Sequence, residues 1–217
     1  MTYIFSDFED QPTGSVPAGW TVEAQDGTID PVVTESDPIE GSKSFKVADD
    51  VSGGATRVSH PVGDETIQLR MEYHADRSLA GENRSPMVNI YSDSGFLYGY
   101  AFVNGGNTAD EALSVIYMPD SIFSETELGN ATPVASLNRF QDYDIEIRNP
   151  ATDLALLIDG TVQHDPSDTY SGASAIHLKA DDCVMYYDGY PGGGGGGGEL
   201  IAPGATVVLL KDDLAHA

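Results

Sequence analysis

Residues 142–162 read DYDIEIRNPATDLALLIDGTV, and this stretch decides the fold. Tyr143, Ile145 and Ile147 alternate with Asp142, Asp144, Glu146 and Arg148. That is the two-residue period of a strand with one face in a core and the other in water. Asn149-Pro150 ends it, the apolar run Leu154 to Ile158 follows, and Asp159-Gly160 leads into Thr161 and Val162. Asp-Gly after such a run is a strong signal for a two-residue hairpin turn, whose favoured form needs positive φ at both central residues.

The same period recurs upstream, where Ile67, Leu69, Met71 and Tyr73 face one way and Gln68, Arg70, Glu72 and His74 the other. Gly, Pro, Asn and Asp clusters break the chain roughly every ten residues, and helical periodicity is nearly absent. Twelve strands are expected: Tyr3 to Ser6, Trp20 to Ala24, Ser44 to Val47, Thr56 to His60, Thr66 to His74, Met87 to Tyr91, Leu97 to Val103, Leu113 to Met118, Tyr143 to Arg148, Leu154 to Ile158, Ala175 to Lys179 and Val184 to Tyr187. So many short strands predict an all-β fold, a single jelly-roll β-sandwich of two packed sheets.

Four segments then carry a resemblance: FSDFEDQPTGSVPAGWTV at 5–22, GSKSFKV at 41–47, YDIEIRNPATDLALLIDGTVQ at 143–163 and CVMYYDGY at 183–190. In this order they resemble the laminin-G-like branch of the concanavalin-like lectin and glucanase superfamily. In that family a Phe-Glu pair sits on the first strand, Gly-Ser-x-Ser precedes the third, a late hairpin turns on Asp-Gly, and the last strand pairs near the first and ends in an acid. The resemblance covers roughly residues 3 to 190. It implies that Glu9 and Asp188 meet at one edge, where a structural calcium ion would find carboxylate and carbonyl oxygen; two solvated acids are the alternative.

Charge narrows the function. Asp and Glu number 35 against 10 Lys and Arg, a formal net charge of -25. Such a field repels phosphate backbones and anionic lipid, so neither nucleic acid nor a membrane surface is an expected partner. Self-repulsion of this size destabilises a compact chain in dilute buffer, whereas the Debye length falls to about 3 Å at molar salt. A halophile's protein is expected; an acidic extracellular domain that holds calcium is the alternative. The lone Cys183 lies in an apolar run and reads as a buried hydrophobe. The N-terminus, MTYIFSD, carries no basic and long apolar segment of the kind a secretory signal needs.

Asp142, Asp144 and Glu146 are the enzymatic candidates, because concanavalin-like endoglycanases carry nucleophile and acid/base on alternate positions of one strand. Two features oppose this: that pattern begins with Glu, and its clefts are lined by tryptophan, of which this chain has only Trp20. The three acids are therefore expected to be a solvated strand face and the protein not an enzyme. Phe96, Tyr98, Tyr100 and Phe102 stand at period two and read as core. Among them Tyr98 and Tyr100, with Asn104 and Asn107 in the next loop, are the candidates for stacking on a sugar ring and bonding its hydroxyls. His60, His74, His164, His177 and His216 are scattered without zinc-ligand spacing. No phosphate-loop lysine or nucleophile elbow is present.

After Tyr190 the chain changes character. An oligoglycine linker at 191–198, with glycine from Gly192 to Gly198, precedes a tail at 199–217 containing Val207, Val208, Leu209 and Leu210. Oligoglycine followed by an apolar strand-like run suits assembly with neighbouring copies, and folding back on the chain's own sandwich is the alternative. Two classes of function follow. One is a virion surface protein of a halophilic virus (a capsid-decorating turret, spike or tail fibre), forming a homo-oligomer, meeting other virion proteins and attaching to cell-surface glycans. The other is a secreted carbohydrate-binding module or endo-glycanase of a halophile.

Overall fold

The computed structural model describes residues 2–4, 7–36, 38–51, 54–74, 86–104, 112–119, 131–138, 141–148, 154–166, 168–181 and 183–189. They form β1 (Thr2–Ile4), β2 (Thr21–Gln25), β3 (Val32–Thr34), β4 (Ser44–Ala48), β5 (Thr56–Pro61), β6 (Thr66–His74), β7 (Met87–Ser92), β8 (Gly95–Asn104), β9 (Ala112–Met118), β10 (Ala135–Asn138), β11 (Asp142–Ile147), β12 (Leu156–Ile158), β13 (Thr161–His164), β14 (Ala173–Ala180) and β15 (Val184–Asp188). No helix occurs among the described residues.

Two sheets face each other. The eight-stranded sheet runs β13-β12-β11-β6-β15-β4-β3 with β1 also on β6, and the seven-stranded sheet runs β10-β9-β8-β7-β14-β5-β2. All pairings are antiparallel except β1 on β6. One edge of β6 is taken by β11 along residues 67–72, so β15 at Arg70–His74 and β1 at Thr66–Gln68 must share the other. The first and last described strands therefore meet near Arg70. Residues 142–148 and 154–162 fold as expected: Ile145 pairs with Ile158, and Asp159 and Gly160 turn the chain with φ of 49° and 71°.

Ile145, Ile147, Ile67, Leu69 and Met71 are all 1% exposed or less, so the apolar half of each alternating strand lies between the sheets. Burying each such side chain contributes about 1.5–3 kcal/mol. Cys183 is buried in the same core. Three expectations need correction. The described strands number fifteen rather than twelve, because Val32–Thr34 and Ala135–Asn138 are three- and four-residue edge strands too short to show a period, and Thr161–His164 is a strand of its own. The first strand is Thr2–Ile4, so Glu9 follows it, in a turn. Finally, the register slips between Ile90 and Tyr91 opposite β8. That bulge sends Phe96 to the outer face of the seven-stranded sheet, beside Ala101, Val103, Ile116 and Met118, while Tyr98, Tyr100 and Phe102 point into the core.

Candidate functional site

Glu9 and Asp188 do come to one place, on either side of the turn at residues 39–44. Glu9 accepts hydrogen bonds from Ser42 N (2.7 Å), Ser42 Oγ (2.6 Å) and Lys43 N (2.9 Å). The Ser42 donors lead in holding its carboxyl below the usual range. Asp188 is only 1% exposed and accepts from Glu40 N (3.1 Å), Ser44 Oγ (3.1 Å) and Gly189 N (2.7 Å). Burial pushes its pKa up to about 6 against those donors, and the charge of Glu9 adds to the rise. Lys43 Nζ donates to the carbonyls of Glu9 (2.8 Å) and Gln11 (3.0 Å), so one positive charge already sits among these oxygens. Carboxylate and carbonyl oxygen is the donor chemistry of calcium. Among the described residues, however, no group of three His, Cys, Asp or Glu side chains is arranged to hold a metal ion.

Asp142, Asp144 and Glu146 line one face of β11, as their spacing predicts, opposite Glu72, Arg70 and Gln68 of β6. Arg70 Nε bonds Asp144 Oδ1 at 2.8 Å, and Arg70 Nη1 lies 2.7 Å from Glu40 and 3.8 Å from Asp142. Gln68 Nε2 donates to Glu146 Oε2 (2.7 Å) and Arg148 Nε to Glu146 Oε1 (3.1 Å). Glycosidases set two carboxyls apart, one kept protonated and one charged. Here each acid faces a cation or an amide, and the arrangement is that of a sheet-surface ion-pair network.

Tyr98 and Tyr100, expected at a sugar, are both 0% exposed. They oppose Ile90 and Val88 across β7 and face the inside of the sandwich, where no ring face is open to a ligand. Tyr98 stacks on Tyr170 (5.0 Å), and Tyr100 OH lies 3.2 Å from His164 Nδ1. Tyr117 OH donates to Asp168 (3.0 Å) and lies 2.9 Å from Tyr170 OH. Together these contacts tie the residues after β13 to the core. Burial raises Tyr117 well above the ordinary phenol range, which unfits it as a base. The side chain of Asn104, together with Asn107, Gly192, Gly198, Val207, Val208, Leu209 and Leu210, lies outside the described residues.

The outer face of the seven-stranded sheet brings His177 and Phe96 together with Arg57, Asn89 and Tyr91, none of which stands out as a site residue in the sequence. Strand register sets Ser59, His177, Asn89, Gly99 and Met118 in one row across β5, β14, β7, β8 and β9. Beside it runs the row Arg57, Lys179, Met87 and Ala101, and on the other flank Ala175, Tyr91 and Phe96. Tyr91 stacks on His177 at 4.0 Å and 20°, and meets Phe96 edge-on at 5.6 Å. Asn89 is 5% exposed, its oxygen lying where a side chain on Gly99 would stand. Burial first, then the charge of Arg57, lowers the pKa of His177, so its ring is neutral at pH 7.

Three buried polar atoms here have no hydrogen-bond partner: Arg57 Nε, Asn89 Oδ1 and His177 Nδ1. The others of this kind are hydroxyls of Thr56, Tyr98 and Tyr187, on side chains that face the core. Each unmet group costs about 1–3 kcal/mol, so three at adjacent register positions call for a functional explanation. The ion pairs among the described residues engage Arg70, Arg148 and Lys179; Arg57 is in none of them. In a chain with 35 acids against 10 basic residues, a guanidinium without an ion pair is conspicuous. One signal was present in the sequence: Asn89 and His177 interrupt MVNIYS and ASAIHLKA at strand-centre positions. Only pairing places them side by side.

No family model matches the chain, and no curated protein does. Among solved structures it is similar to the CBM2 module of Lactobacillus casei BL23 phage J-1 evolved Dit (TM-score 0.54, 11% identity, covering 87% of this chain and 93% of that one). It is similar also to the Crh5 transglycosylase (0.52, 14%, 86% and 81%) and to the Emp47p carbohydrate recognition domain (0.50, 11%, 87% and 92%). At such identity the likeness concerns the backbone alone, and it shows the fold: a jelly-roll β-sandwich.

Proposed function

We propose that this protein is a carbohydrate-binding sandwich without enzymatic activity, which takes a glycan on the outer face of its seven-stranded sheet. The observation that carries this reading is the row through His177 and Asn89. Unpartnered polar atoms lie there beside aromatic rings, the combination that fixes hydroxyls and stacks on a pyranose. Two of the similar structures are named as a carbohydrate-binding module and a carbohydrate recognition domain, which supports the same reading. Pairing of Asp144 with Arg70 and of Glu146 with Gln68 and Arg148 supports binding over catalysis.

The setting we propose is the surface of a halophilic virion. It rests on the charge of -25 and on likeness to a phage module. The tail from Gly192 is proposed to join copies of the chain, and calcium to sit between Glu9 and Asp188. A glycan array probed with the full chain, paired with a reducing-sugar assay on the glycans bound, tests the reading. Binding without sugar release is expected. Release that vanishes in Glu146→Gln contradicts the non-enzymatic part, and an array with no bound glycan contradicts the whole.

A further inference from the structure

We infer that the ligand of this face is a sugar bearing a carboxylate, a hexuronate or a residue of like charge, with Arg57 as the group that selects it. The inference rests on the glycan-binding reading and names the ligand's chemical class. Arg57 is half-buried on β5, adjacent in register to Lys179, and shares in no ion pair among the described residues. Lys179 is already engaged by Asp181 Oδ2 at 2.8 Å, so Arg57 is the cation of the patch without an ion pair among the described residues. Glu23 keeps its negative charge near His177, with Oε1 accepting from Ser59 Oγ at 2.5 Å, but it makes no ion pair with Arg57 among the described residues.

A neutral sugar would bury this guanidinium further and leave its charge unanswered, at a desolvation cost. A carboxylate meets it as a planar fork, which is the recognition that arginine supplies and lysine does not. The neighbouring groups fit the remainder of such a ring. His177, neutral, offers its unpartnered Nδ1, and Asn89 Oδ1 accepts from a hydroxyl. Tyr91 and Phe96 present apolar surface to a pyranose face. Asn89 is the buried, unpartnered side chain that marks this as a built site rather than a chance cluster of surface charge.

The test is calorimetric titration of the full chain with tetragalacturonate and with its carboxyl-reduced, neutral counterpart, both in molar sodium chloride, where a Debye length of about 3 Å screens the long-range repulsion of a chain of net charge -25 and leaves the contact at Arg57 in force. The acidic form is expected to bind at least tenfold tighter. Arg57→Gln is expected to abolish that preference, while Lys179→Gln leaves it within about twofold. If Arg57→Gln fails to fold, Arg57→Lys, which keeps the charge and loses the fork, must still cut the preference several-fold. Equal affinity for the two forms, or a preference that survives at Arg57, overturns the inference while leaving glycan binding standing. Failure of both forms on a chain whose array shows only neutral ligands also overturns it, and failure of both together with an empty array removes the glycan reading as well.

Discussion

The side-chain oxygen of Asn89 lies over Gly99 on the neighbouring strand, in the space that a side chain there would fill. A Cβ at position 99 would also stand 3.0 Å from Met118 Cε and 3.0 Å from the backbone oxygen of Val88. The thioether methyl can swing aside; the carbonyl belongs to β7 and cannot. Gly99→Ala is therefore expected to destabilise the fold by about 1–3 kcal/mol through overpacking. It should also turn Asn89 away and weaken glycan binding. Urea denaturation and titration on the one variant check both effects, and an unchanged midpoint with unchanged affinity contradicts the packing described.

Asp188 gives the stability profile a distinctive slope. Its folded pKa is about 6, raised by burial above an unfolded value of 3.8. Between roughly pH 4 and 6 the folded state therefore binds more protons than the unfolded one, and this residue's contribution to stability falls as pH rises through that window. The full effect is at most about 3 kcal/mol. Subtracting the profile of Asp188→Asn from that of the native chain isolates it: the difference should decline from pH 4 to 6 and flatten above. The proposed calcium ion would favour the ionised form, so excess calcium should raise the melting temperature above pH 6 and Glu9→Gln should reduce the gain. A native chain melting identically in calcium and in chelator contradicts calcium at this edge.

Much of the fold is legible in the residues themselves, because a half-buried strand writes its two faces into alternate positions. Ile145 and Ile147 announce the core side of β11, and Asp159-Gly160 the hairpin behind it. Less is legible where a strand is too short to alternate, as with Val32–Thr34, or where a bulge reverses the faces. Phe96 shares a period with Tyr98, and nothing local reveals that the slip at Tyr91 puts the two on opposite sides. The candidate site suffers most, since Arg57, His177 and Asn89 lie far apart in sequence and meet only through the pairing of β5, β14 and β7. The aromatic character that suits Tyr98 and Tyr100 to a sugar ring suits them equally to the core, where both lie.

Salt should govern the stability of the whole chain. A net charge of -25 on 217 residues gives strong self-repulsion, which a Debye length of about 10 Å at 0.1 M leaves partly in force and one of about 3 Å at 1 M removes. Thermal melts are expected to move upward from dilute buffer to molar sodium or potassium chloride. A midpoint that stays put contradicts the halophilic setting.

The central claim is that glycan is taken on the sheet face through His177, and imidazole NMR reads that position directly. In the full chain with isotope-labelled histidine, the ring signals of His60, His164 and His177 report three distinct places. His60 packs on Trp20 (5.2 Å), His164 lies against Tyr117 (4.5 Å), and His177 stacks on Tyr91 (4.0 Å). On titration with the glycan that binds best on the array, the His177 signals are expected to shift in step with calorimetric saturation while those of His60 and His164 hold still. Saturation with His177 unmoved, or with the shift confined to His60 or His164, contradicts the account.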